Sequence, residues 1–332
     1  MTALNALSLL ADIGGTNTRL ALSQGRRLLP DTIKRYANAE YASLDDVLAQ
    51  YLSDIGQPDC VGACVAVAGP VRAGVAHMTN LAWTISETTL ARATRAQTVA
   101  LLNDLPAQGY ALDNLAPNSV TPLIGTPPDV APQSNATRLV IGIGTGFNSS
   151  PVFDVEAMGR HVPASESGHV TLPLKDTDIQ PLAAYLAREH GFAAVEDALS
   201  GRGLAALFAF ETQHQPPSAP LTSAAVLEAY AAGLPEAQRA VALFTRLLGA
   251  VVGDLALMSL PFEGIFLVGG MARAISPLLL ENGFQAALTD KGRFSDFVAD
   301  FSVSVVEDDY AALTGCACYL AQKQALKKTE FP

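Results

Sequence analysis

A carboxylate followed by two glycines stands between two apolar segments near the start of the chain. Asp12 follows the apolar residues 9–11, and Gly14 and Gly15 precede the alternating residues 19–22. This order predicts a β-hairpin with a glycine turn. Glycine lets backbone N–H groups approach an anion closely, and a carboxylate beside such a turn can hold Mg²⁺ through water. The stretch is a candidate phosphate-binding turn, and the alternative is an ordinary turn with an incidental aspartate.

Polar residues continue this first glycine turn, which we define as residues 14–17, with Thr16 and Asn17 after the glycines. A second apolar run, residues 139–143, ends in a similar turn, the second glycine turn, formed by Gly144, Thr145 and Gly146. Two such turns predict two related halves that bind one nucleotide. The glycine spacing does not match G-x-G-x-x-G, and no G-x-x-x-x-G-K-[ST] sequence occurs.

Asn103 and Asp104 follow the apolar segment 99–102, which predicts a buried strand. In open α/β sheets, ligands collect at the carboxyl ends of the strands. The pair is therefore a candidate for substrate binding and catalysis. The alternative is the N-cap of a helix that begins near Ala107, and one residue can serve both purposes.

Glu166 and His169 stand close together in a stretch with serine and glycine between them, which predicts a loop. A carboxylate and an imidazole suit hydrogen bonding to neighbouring sugar hydroxyls. Metal binding is less favoured, because no third ligand is evident and the H-E-x-x-H spacing is absent. An ordinary surface histidine is the alternative.

Gly269 and Gly270 end the apolar run 265–268. A glycine pair at this position allows a close backbone approach that suits the edge of an adenosine. The alternative is a glycine pair that only ends a strand.

Length and composition predict a globular protein of two domains, since the chain has 332 residues, of which 49% are hydrophobic and 16% charged. The net charge of −11 disfavours nucleic acid and anionic membranes as partners. The apolar segment 250–260 carries Asp254 and is followed by Pro261, so we expect no membrane span.

Cysteine use is typical of a cytoplasmic protein with buried free thiols, because no C-x-x-C pair occurs. Two of the cysteines are expected on the same face of a strand, because they are four residues apart. The four cysteines are Cys60, Cys64, Cys316 and Cys318.

Apolar strands alternate with amphipathic helices in both halves of the chain, which predicts an α/β protein with mixed sheets. Ser43 is the predicted N-cap of a helix that ends near Gly56. Residues 116–137 are predicted to be rich in loops, and residues 223–258 form one long helical region. Residues 309–323 are predicted to form a helix that packs back on the first domain.

In this order the motifs resemble the bacterial glucokinase branch of the sugar kinase–actin–Hsp70 superfamily. The likeness covers nearly the whole chain. It is carried by residues 12–19, 68–71, 78–83, 103–104, 144–146, 166–169, 196, 199–204 and 267–270.

The resemblance implies an α/β, two-domain actin-like ATPase (ribonuclease H-like) fold with mixed sheets and an interdomain cleft. The small domain would comprise residues 1–110 plus 311–332, and the large domain residues 111–310. The implied enzyme is an ATP-dependent glucokinase of glycolysis that uses Mg²⁺. It would be a cytoplasmic homodimer with glucose and ATP as its partners.

The resemblance also implies the roles of individual residues. Asp104 would be the catalytic base, and Asp12 would position Mg²⁺ through water. Sugar hydroxyls would be bound by Asn103, Asp104, Glu166, His169 and Glu196. ATP would be bound by Asp12, Gly14, Gly15, Thr16, Asn17, Gly144, Thr145, Gly146, Gly269 and Gly270.

Two other functions stay open, namely another hexose or amino-sugar kinase of the same fold and a non-catalytic sugar sensor. The retained Asp104 and the two glycine turns disfavour the sensor. Two stretches depart from the family pattern: Ser167 replaces the usual glycine, and residues 147–150 replace a glycine-rich continuation. The sequence Gly-Thr-Gly-x-Asn is more similar to that of eukaryotic hexokinases.

Overall fold

A computed structural model describes residues 6–78, 81–126, 137–156, 158–173, 180–212 and 221–330. Thr79 and Asn80, which belong to one of the family-like motifs, lie outside these residues. The chain forms two compact units. Unit 1 is Met1–Pro117, Asp154–Ala164 and Asp308–Pro332, and unit 2 is Asn118–Phe153 and Ser165–Glu307. The domain limits predicted from the sequence stay a proposal.

The secondary structure alternates between strands and helices throughout the described chain. The strands are β1 Leu7–Ile13, β2 Asn17–Gln24, β3 Arg27–Ala37, β4 Cys60–Val67, β5 Val71–Arg72, β6 Val75–His77, β7 Thr84–Ser86, β8 Thr98–Asn103, β9 Val120–Ile124, β10 Thr137–Ile143, β11 Phe147–Val155, β12 Gly159–His161, β13 Ile265–Val268 and β14 Val303–Val306. The α-helices are α1 Leu44–Asp54, α2 Glu87–Thr94, α3 Asp104–Ala111, α4 Gln180–His190, α5 Val195–Ala198, α6 Gly201–Glu211, α7 Ser223–Ala231, α8 Pro235–Ser259, α9 Gly270–Leu279, α10 Phe284–Thr289, α11 Ser295–Ala299 and α12 Ala311–Glu330.

Unit 1 is built on a five-stranded mixed sheet with the order β3-β2-β1-β4-β8. The hairpin predicted around the first glycine turn is confirmed, because β1 and β2 pair antiparallel. Strands β1, β4 and β8 run parallel, with Ile13 opposite Val67 and Val67 opposite Asn103. The three strands therefore end at the same level of the sheet.

Helices cover the two faces of this sheet. The predicted cap of α1 is confirmed, since the Ser43 side chain accepts a hydrogen bond from the backbone N–H of Asp46. α1 and α2 contribute buried residues such as Leu48 and Leu90 to the core on one face. On the other face, Leu313 and Leu320 of α12 are in the core that also contains β1 and β4 residues. The predicted helix near the C-terminus thus packs on the first unit.

Cys60 and Cys64 lie on opposite faces of the sheet, so the prediction that they share a face is wrong. Leu7 pairs with Cys60, but Ser8 pairs with Gly62, so β4 has one extra residue at this point. Such a bulge reverses the facing of all residues on one side of it. Cys60 is therefore in the core beneath α1 and Cys64 in the core beneath α12. All four cysteines are free and buried, as predicted.

A buried arginine holds residues 154–164 in unit 1. The Arg160 guanidinium forms ion pairs with Asp113 and with Asp154 at 2.8 Å. Gln322 of α12 accepts a hydrogen bond from the Arg160 N–H at 3.0 Å and donates one to its carbonyl at 2.8 Å. Because these contacts join segments that are far apart in the chain, the sequence pattern did not indicate them.

Unit 2 contains a second mixed sheet, in which the strands follow the order β11-β10-β13-β14-β9. β10, β13 and β14 run parallel, and β11 and β9 pair antiparallel with their neighbours. The prediction that residues 116–137 are rich in loops is wrong for Val120–Ile124, which form β9. Residues 127–136 of that stretch lie outside the described residues.

The predicted helical region 223–258 is divided into two helices, α7 and α8. The division lies at Gly233, which has a φ of +80°, and at Pro235, the first residue of α8. Among the described residues, α8 alone is long and apolar enough to cross a membrane. However, 61% of the most apolar 18-residue segment of α8 is buried inside the protein, which is typical of a core helix.

The packing of α12 against α3 leads to a test of stability. A Cβ atom at Gly315 of α12 would overlap the carbonyl group of Ala107 in α3. We expect Gly315→Ala to lower the free energy of unfolding by about 1–3 kcal/mol, because overpacking forces the two helices apart.

Urea unfolding measures this change, and Lys327→Ala at an exposed position of the same helix is the control. The control is expected to stay within about 0.5 kcal/mol of the unsubstituted protein. An unchanged midpoint for Gly315→Ala would show that the two helices are not in tight contact.

Candidate active site

The first glycine turn joins β1 to β2 and places its tip in solvent. The N–H of Gly14 donates to the carbonyl of Asn17 at 3.0 Å, which closes the turn. Gly15 and Thr16 at the tip are exposed. The backbone at the tip of this turn is therefore accessible, and phosphate binding there stays a prediction.

Asn38 anchors the first glycine turn from a distance of twenty or more residues in the chain. Its side-chain amide donates to the carbonyl of Gly14 at 2.9 Å and accepts from the Thr18 hydroxyl at 2.7 Å. Its backbone N–H donates to the carbonyl of Thr16 at 2.9 Å. Asn38 is only 2% exposed. Asn38 was not predicted from the sequence, because nothing near it indicates a contact with the turn.

Asp12 lies just before the turn and forms an ion pair with Arg19 on the paired strand at 3.3 Å. The Asp12 side chain is 16% exposed. Burial raises the pKa of this carboxyl, and the charge and hydrogen bond of Arg19 act in the opposite direction to a smaller extent. The pair keeps the carboxylate oriented beside the turn.

The donor set around Asp12 fits a magnesium ion that is held mainly by water and phosphate. Among the described residues, no group of three or more His, Cys, Asp or Glu side chains is placed to hold a metal. Mg²⁺ is usually bound by one or two carboxylates, several waters and substrate phosphates, so a single carboxylate is sufficient.

Asn103 and Asp104 stand where β8 ends and α3 begins. Asn103 is the N-cap of α3, because its side-chain oxygen accepts from the N–H of Leu105 at 3.2 Å. The Asn103 amide also donates to the carbonyl of Gly69 at 3.1 Å. Asp104 is the first residue of the helix, and its carboxylate accepts from Leu105 at 2.9 Å. The expectation of a helix that begins near Ala107 is therefore wrong.

Asn103 is the N-cap of α3, and the neighbouring carboxylate of Asp104 belongs to the first residue of the helix. A cap residue precedes the helix, whereas Asp104 has its place inside the first turn. The strand register brings Asn103 to the same level as Ile13, through Val67 of β4. Asp104 therefore lies on the same sheet edge as the first glycine turn.

The second glycine turn joins β10 to β11 and is supported by two backbone contacts. The N–H of Gly144 donates to the carbonyl of Gly146 at 2.9 Å. The N–H of Gly201, the first residue of α6, donates to the carbonyl of Gly144 at 2.8 Å. The N-terminus of α6 therefore contacts the turn, and a helix N-terminus favours anions.

Gly269 and Gly270 lie at the carboxyl end of β13, which pairs with β10. Gly269 has a φ of +103°, and a Cβ atom there would overlap the carbonyl of Ile143. Only glycine fits this position without strain. The pair therefore lies at the same sheet edge as the second glycine turn and begins α9.

Residues 166–169, here called the 166–169 segment, include a short 3₁₀ helix, Ser167–His169, so the predicted loop is wrong there. The N–H of His169 donates to the carbonyl of Glu166 at 3.1 Å. Gly168 packs against the carbonyl of Phe147, where a Cβ atom would overlap it. This close contact fixes the segment against the start of β11.

Glu196 lies beside the 166–169 segment because neighbouring chain segments pair there. The N–H of Val195 donates to the carbonyl of Val170 at 3.0 Å. One Glu196 oxygen accepts from the N–H of Phe147 at 2.9 Å, and the other accepts from Arg202 at 2.8 Å. The structure therefore places the chain segment that carries Glu196 beside the segment that carries Glu166 and His169, both of which are exposed. The pairing of Glu196 with Arg202 was not predicted from the sequence.

The sequence and structure comparisons give consistent results. The sequence profile of the Glucokinase family matches residues 9–323. A glucokinase from Caulobacter sp. (strain K31) is 34% identical over 324 residues, which cover 96% of each chain. The crystal structure of a glucokinase from an Antarctic psychrotroph has a TM-score of 0.81 and 29% identity, and the match covers 95% of this chain and 98% of that one.

A ROK family glucokinase from Streptomyces griseus, crystallised with glucose and AMPPNP, has a TM-score of 0.67 at 18% identity. The match covers 96% of this chain and all of the other, and shows a shared fold. The protein therefore has the actin-like ATPase fold with mixed sheets that the sequence predicts. The chain belongs to the glucokinase family and is a kinase that acts on glucose with ATP. The resemblance and the enzyme class inferred from the sequence are confirmed.

The buried anchor of the first glycine turn can be tested through nucleotide binding. Asn38→Ala removes two hydrogen bonds that hold this turn. We expect the KM for ATP to rise by about fivefold to 150-fold, because each of the two lost bonds costs about 0.5–1.5 kcal/mol. Steady-state kinetics with a coupled assay measures the change.

Asn114→Ala at an exposed position is the matched control and is expected to leave the KM for ATP and the KM for glucose unchanged. For Asn38→Ala, the KM for glucose should change by less than about twofold. A normal KM for ATP in this variant would mean that the turn does not depend on Asn38.

Proposed function

We propose that the protein transfers the γ-phosphoryl group of ATP to the 6-hydroxyl of glucose, giving glucose 6-phosphate and ADP. The placement of Asp104 carries the proposal, because it lies on the same sheet edge of unit 1 as the first glycine turn. A hydroxyl bound there would meet a proton acceptor near a turn suited to phosphate.

Asp104 would accept the proton of the 6-hydroxyl as that oxygen attacks the γ-phosphorus. The bond between the γ-phosphorus and the bridging oxygen breaks, and ADP leaves with that oxygen. The proton then passes from Asp104 to solvent. Because an ordinary aspartate has a pKa of ~3.9 and is a weak base, most of the rate enhancement would come from positioning and charge neutralisation.

The two glycine turns would bind the phosphates of ATP through backbone N–H groups. Gly269 and Gly270 would face the adenosine. Asp12 would hold Mg²⁺ through water, with Arg19 keeping the carboxylate in place. When bound, Mg²⁺ neutralises phosphate charge during transfer.

The sugar hydroxyls would be bound by polar side chains. Asn103 has a side-chain amide that is fixed by Gly69 and Leu105, so its orientation is set before substrate arrives. Glu166, His169 and Glu196 would pair with the other hydroxyls. A carboxylate accepts two or more hydrogen bonds and an imidazole donates one, which suits a polyol.

Buried free cysteines support a reducing compartment for this protein, and we place it in the cytoplasm at the first step of glycolysis. The family resemblance supports a homodimer. We expect no nucleic-acid or membrane partner, in keeping with the net charge of −11. Analytical ultracentrifugation would measure the oligomeric state directly.

A coupled kinase assay over a panel of sugars tests the proposed function. The panel contains glucose, mannose, fructose and N-acetylglucosamine, each with ATP and Mg²⁺, and glucose with GTP. We expect the highest kcat/KM with glucose and ATP. A higher value with another hexose or an amino sugar would reassign the substrate, and no turnover with any sugar would favour a sensor.

Asp104→Asn distinguishes a catalytic base from a residue that only stabilises α3. The amide keeps the shape of the side chain and an oxygen that accepts hydrogen bonds. It cannot take up the proton of the sugar hydroxyl. We expect kcat to fall by about 100-fold or more, because general base catalysis contributes about 10²–10⁴-fold. Glucose affinity, measured by calorimetry, should fall much less than kcat.

Asp46→Asn, at an exposed position in the first turn of α1, is the matched control for loss of a helix-terminal charge. The control should keep normal activity. A stable Asp104→Asn protein with near-normal kcat would leave Asp104 with a structural role alone.

His169→Ala tests the contact with the sugar. We expect the KM for glucose to rise by about tenfold, because a bound sugar hydroxyl that loses its hydrogen-bond partner costs about 1–3 kcal/mol. His161→Ala, which changes an exposed histidine in β12, is the control and should change nothing. An unchanged KM for glucose would remove His169 from the site.

A further inference from the structure

The two stretches that depart from the family pattern contact each other in the structure. Ser167 lies in the 166–169 segment, and Asn148 and Ser149 lie at the start of β11. The Ser149 hydroxyl donates to the Ser167 hydroxyl at 2.8 Å. The Ser167 hydroxyl in turn donates to the side-chain oxygen of Asn148 at 3.1 Å. The three residues form a chain of hydrogen bonds, which we call the polar brace (Asn148, Ser149 and Ser167).

Asn148 holds the segment with both ends of its amide. Its NH₂ group donates to the carbonyl of Ser165 at 2.5 Å. Its oxygen accepts from the backbone N–H of Ser167 at 3.0 Å, and the Ser165 hydroxyl lies within 2.8 Å of the same oxygen. Both functions of the side chain are therefore engaged within the protein, which is the pattern of a residue that positions its neighbours.

The brace is shielded from water at its base. Ser149 is 4% exposed, and the other members are half-buried. Hydrogen bonds in such surroundings polarise one another, so removal of one hydroxyl weakens the rest of the chain.

The strand that carries the brace also carries the second glycine turn and contacts Glu196. Asn148 stands two residues after Gly146, and Phe147 between them donates its N–H to Glu196. Gly168 contacts the carbonyl of Phe147 directly. The 166–169 segment and Glu196 are thus both attached to the first three residues that follow the second glycine turn.

We propose that the polar brace consists of positioning residues that set the distance of Glu166 and His169 from the second glycine turn and thereby set the affinity for glucose. This inference rests on the proposed function, since it takes Glu166 and His169 as ligands of the sugar. Ser167 acts through its hydroxyl, so the serine that replaces the family glycine is matched by Asn148 and Ser149 on the strand. The brace does not touch the reacting atoms.

The test compares Ser149→Ala, Ser167→Ala and the double variant in steady-state kinetics and glucose calorimetry. We expect each single variant to raise the KM and Kd for glucose by about three- to tenfold, as for a lost hydrogen bond, with kcat and the KM for ATP within about twofold. The KM and Kd of the double variant for glucose should be at most about twice those of the more impaired single variant, because the two hydroxyls share one hydrogen bond.

Two further variants separate positioning from stability. Ser167→Thr keeps the hydroxyl at a half-buried site and should restore a glucose KM close to that of the unsubstituted protein. Ser150→Ala changes the next serine of the same strand, which is outside the brace, and should leave the KM unchanged. Thermal unfolding of every variant shows whether the protein is folded at the assay temperature.

A glucose KM within about twofold of the unsubstituted value in both single variants would overturn the proposal, even if the melting temperature falls. An equal loss in Ser167→Thr and Ser167→Ala would also overturn it. The proposed function is judged separately, by turnover of glucose in the unsubstituted protein. If another hexose is the better substrate, the same ratios are measured with that hexose and decide the inference in the same way.

Discussion

The alignment of parallel strand ends is the constraint on which the functional residues depend. In unit 1 the ends of β1, β4 and β8 are in register, and in unit 2 the pairing of β10 with β13 ends with Gly142 opposite Val268. Beyond the last ladder bond the backbone is available for other partners, so residues that follow a strand can face a ligand. Within each sheet, separate parts of the chain are thereby brought to one edge.

An acidic protein that binds a polyanion needs local sources of positive potential. The net charge is −11, and Arg19, which follows the first glycine turn by two residues, is paired with Asp12. Backbone N–H groups in the turns and the N-terminus of α6 supply partial positive charge without adding side-chain cations. These partial charges favour the binding of an anion at the turns themselves.

Local patterns in the sequence predicted much of the fold. The first hairpin, the Ser43 cap and the strand before Asn103 were predicted correctly because turn residues, cap residues and short apolar runs act over a few neighbours. The resemblance supplied the fold class and the family. Gly233 and Pro235 mark the break between α7 and α8 in the sequence. The break was not predicted, because apolar residues recur at helical spacing in this region.

The features that were not predicted correctly depend on contacts between residues that are far apart in the chain. The bulge at Val61 depends on pairing with β1, so the period of the sequence alone placed Cys60 on the wrong face. The role of Asn38, which follows β3, depends on its contact with the first glycine turn, which precedes β2. The 3₁₀ helix at Ser167 depends on the serines and the asparagine of β11. In each case the partner, and not the local pattern, decides the structure.

The position of α12 has a consequence for the order in which the protein can fold during synthesis. One face of the unit 1 sheet is made by residues such as Leu10 and Cys64, and it is covered by Leu313 and Leu320 of α12. A ribosome makes residues 311–330 after all of the strands of both sheets. One apolar face of the unit 1 sheet therefore stays exposed while unit 2 is synthesised and can fold. Chaperones can bind this exposed face of the nascent chain.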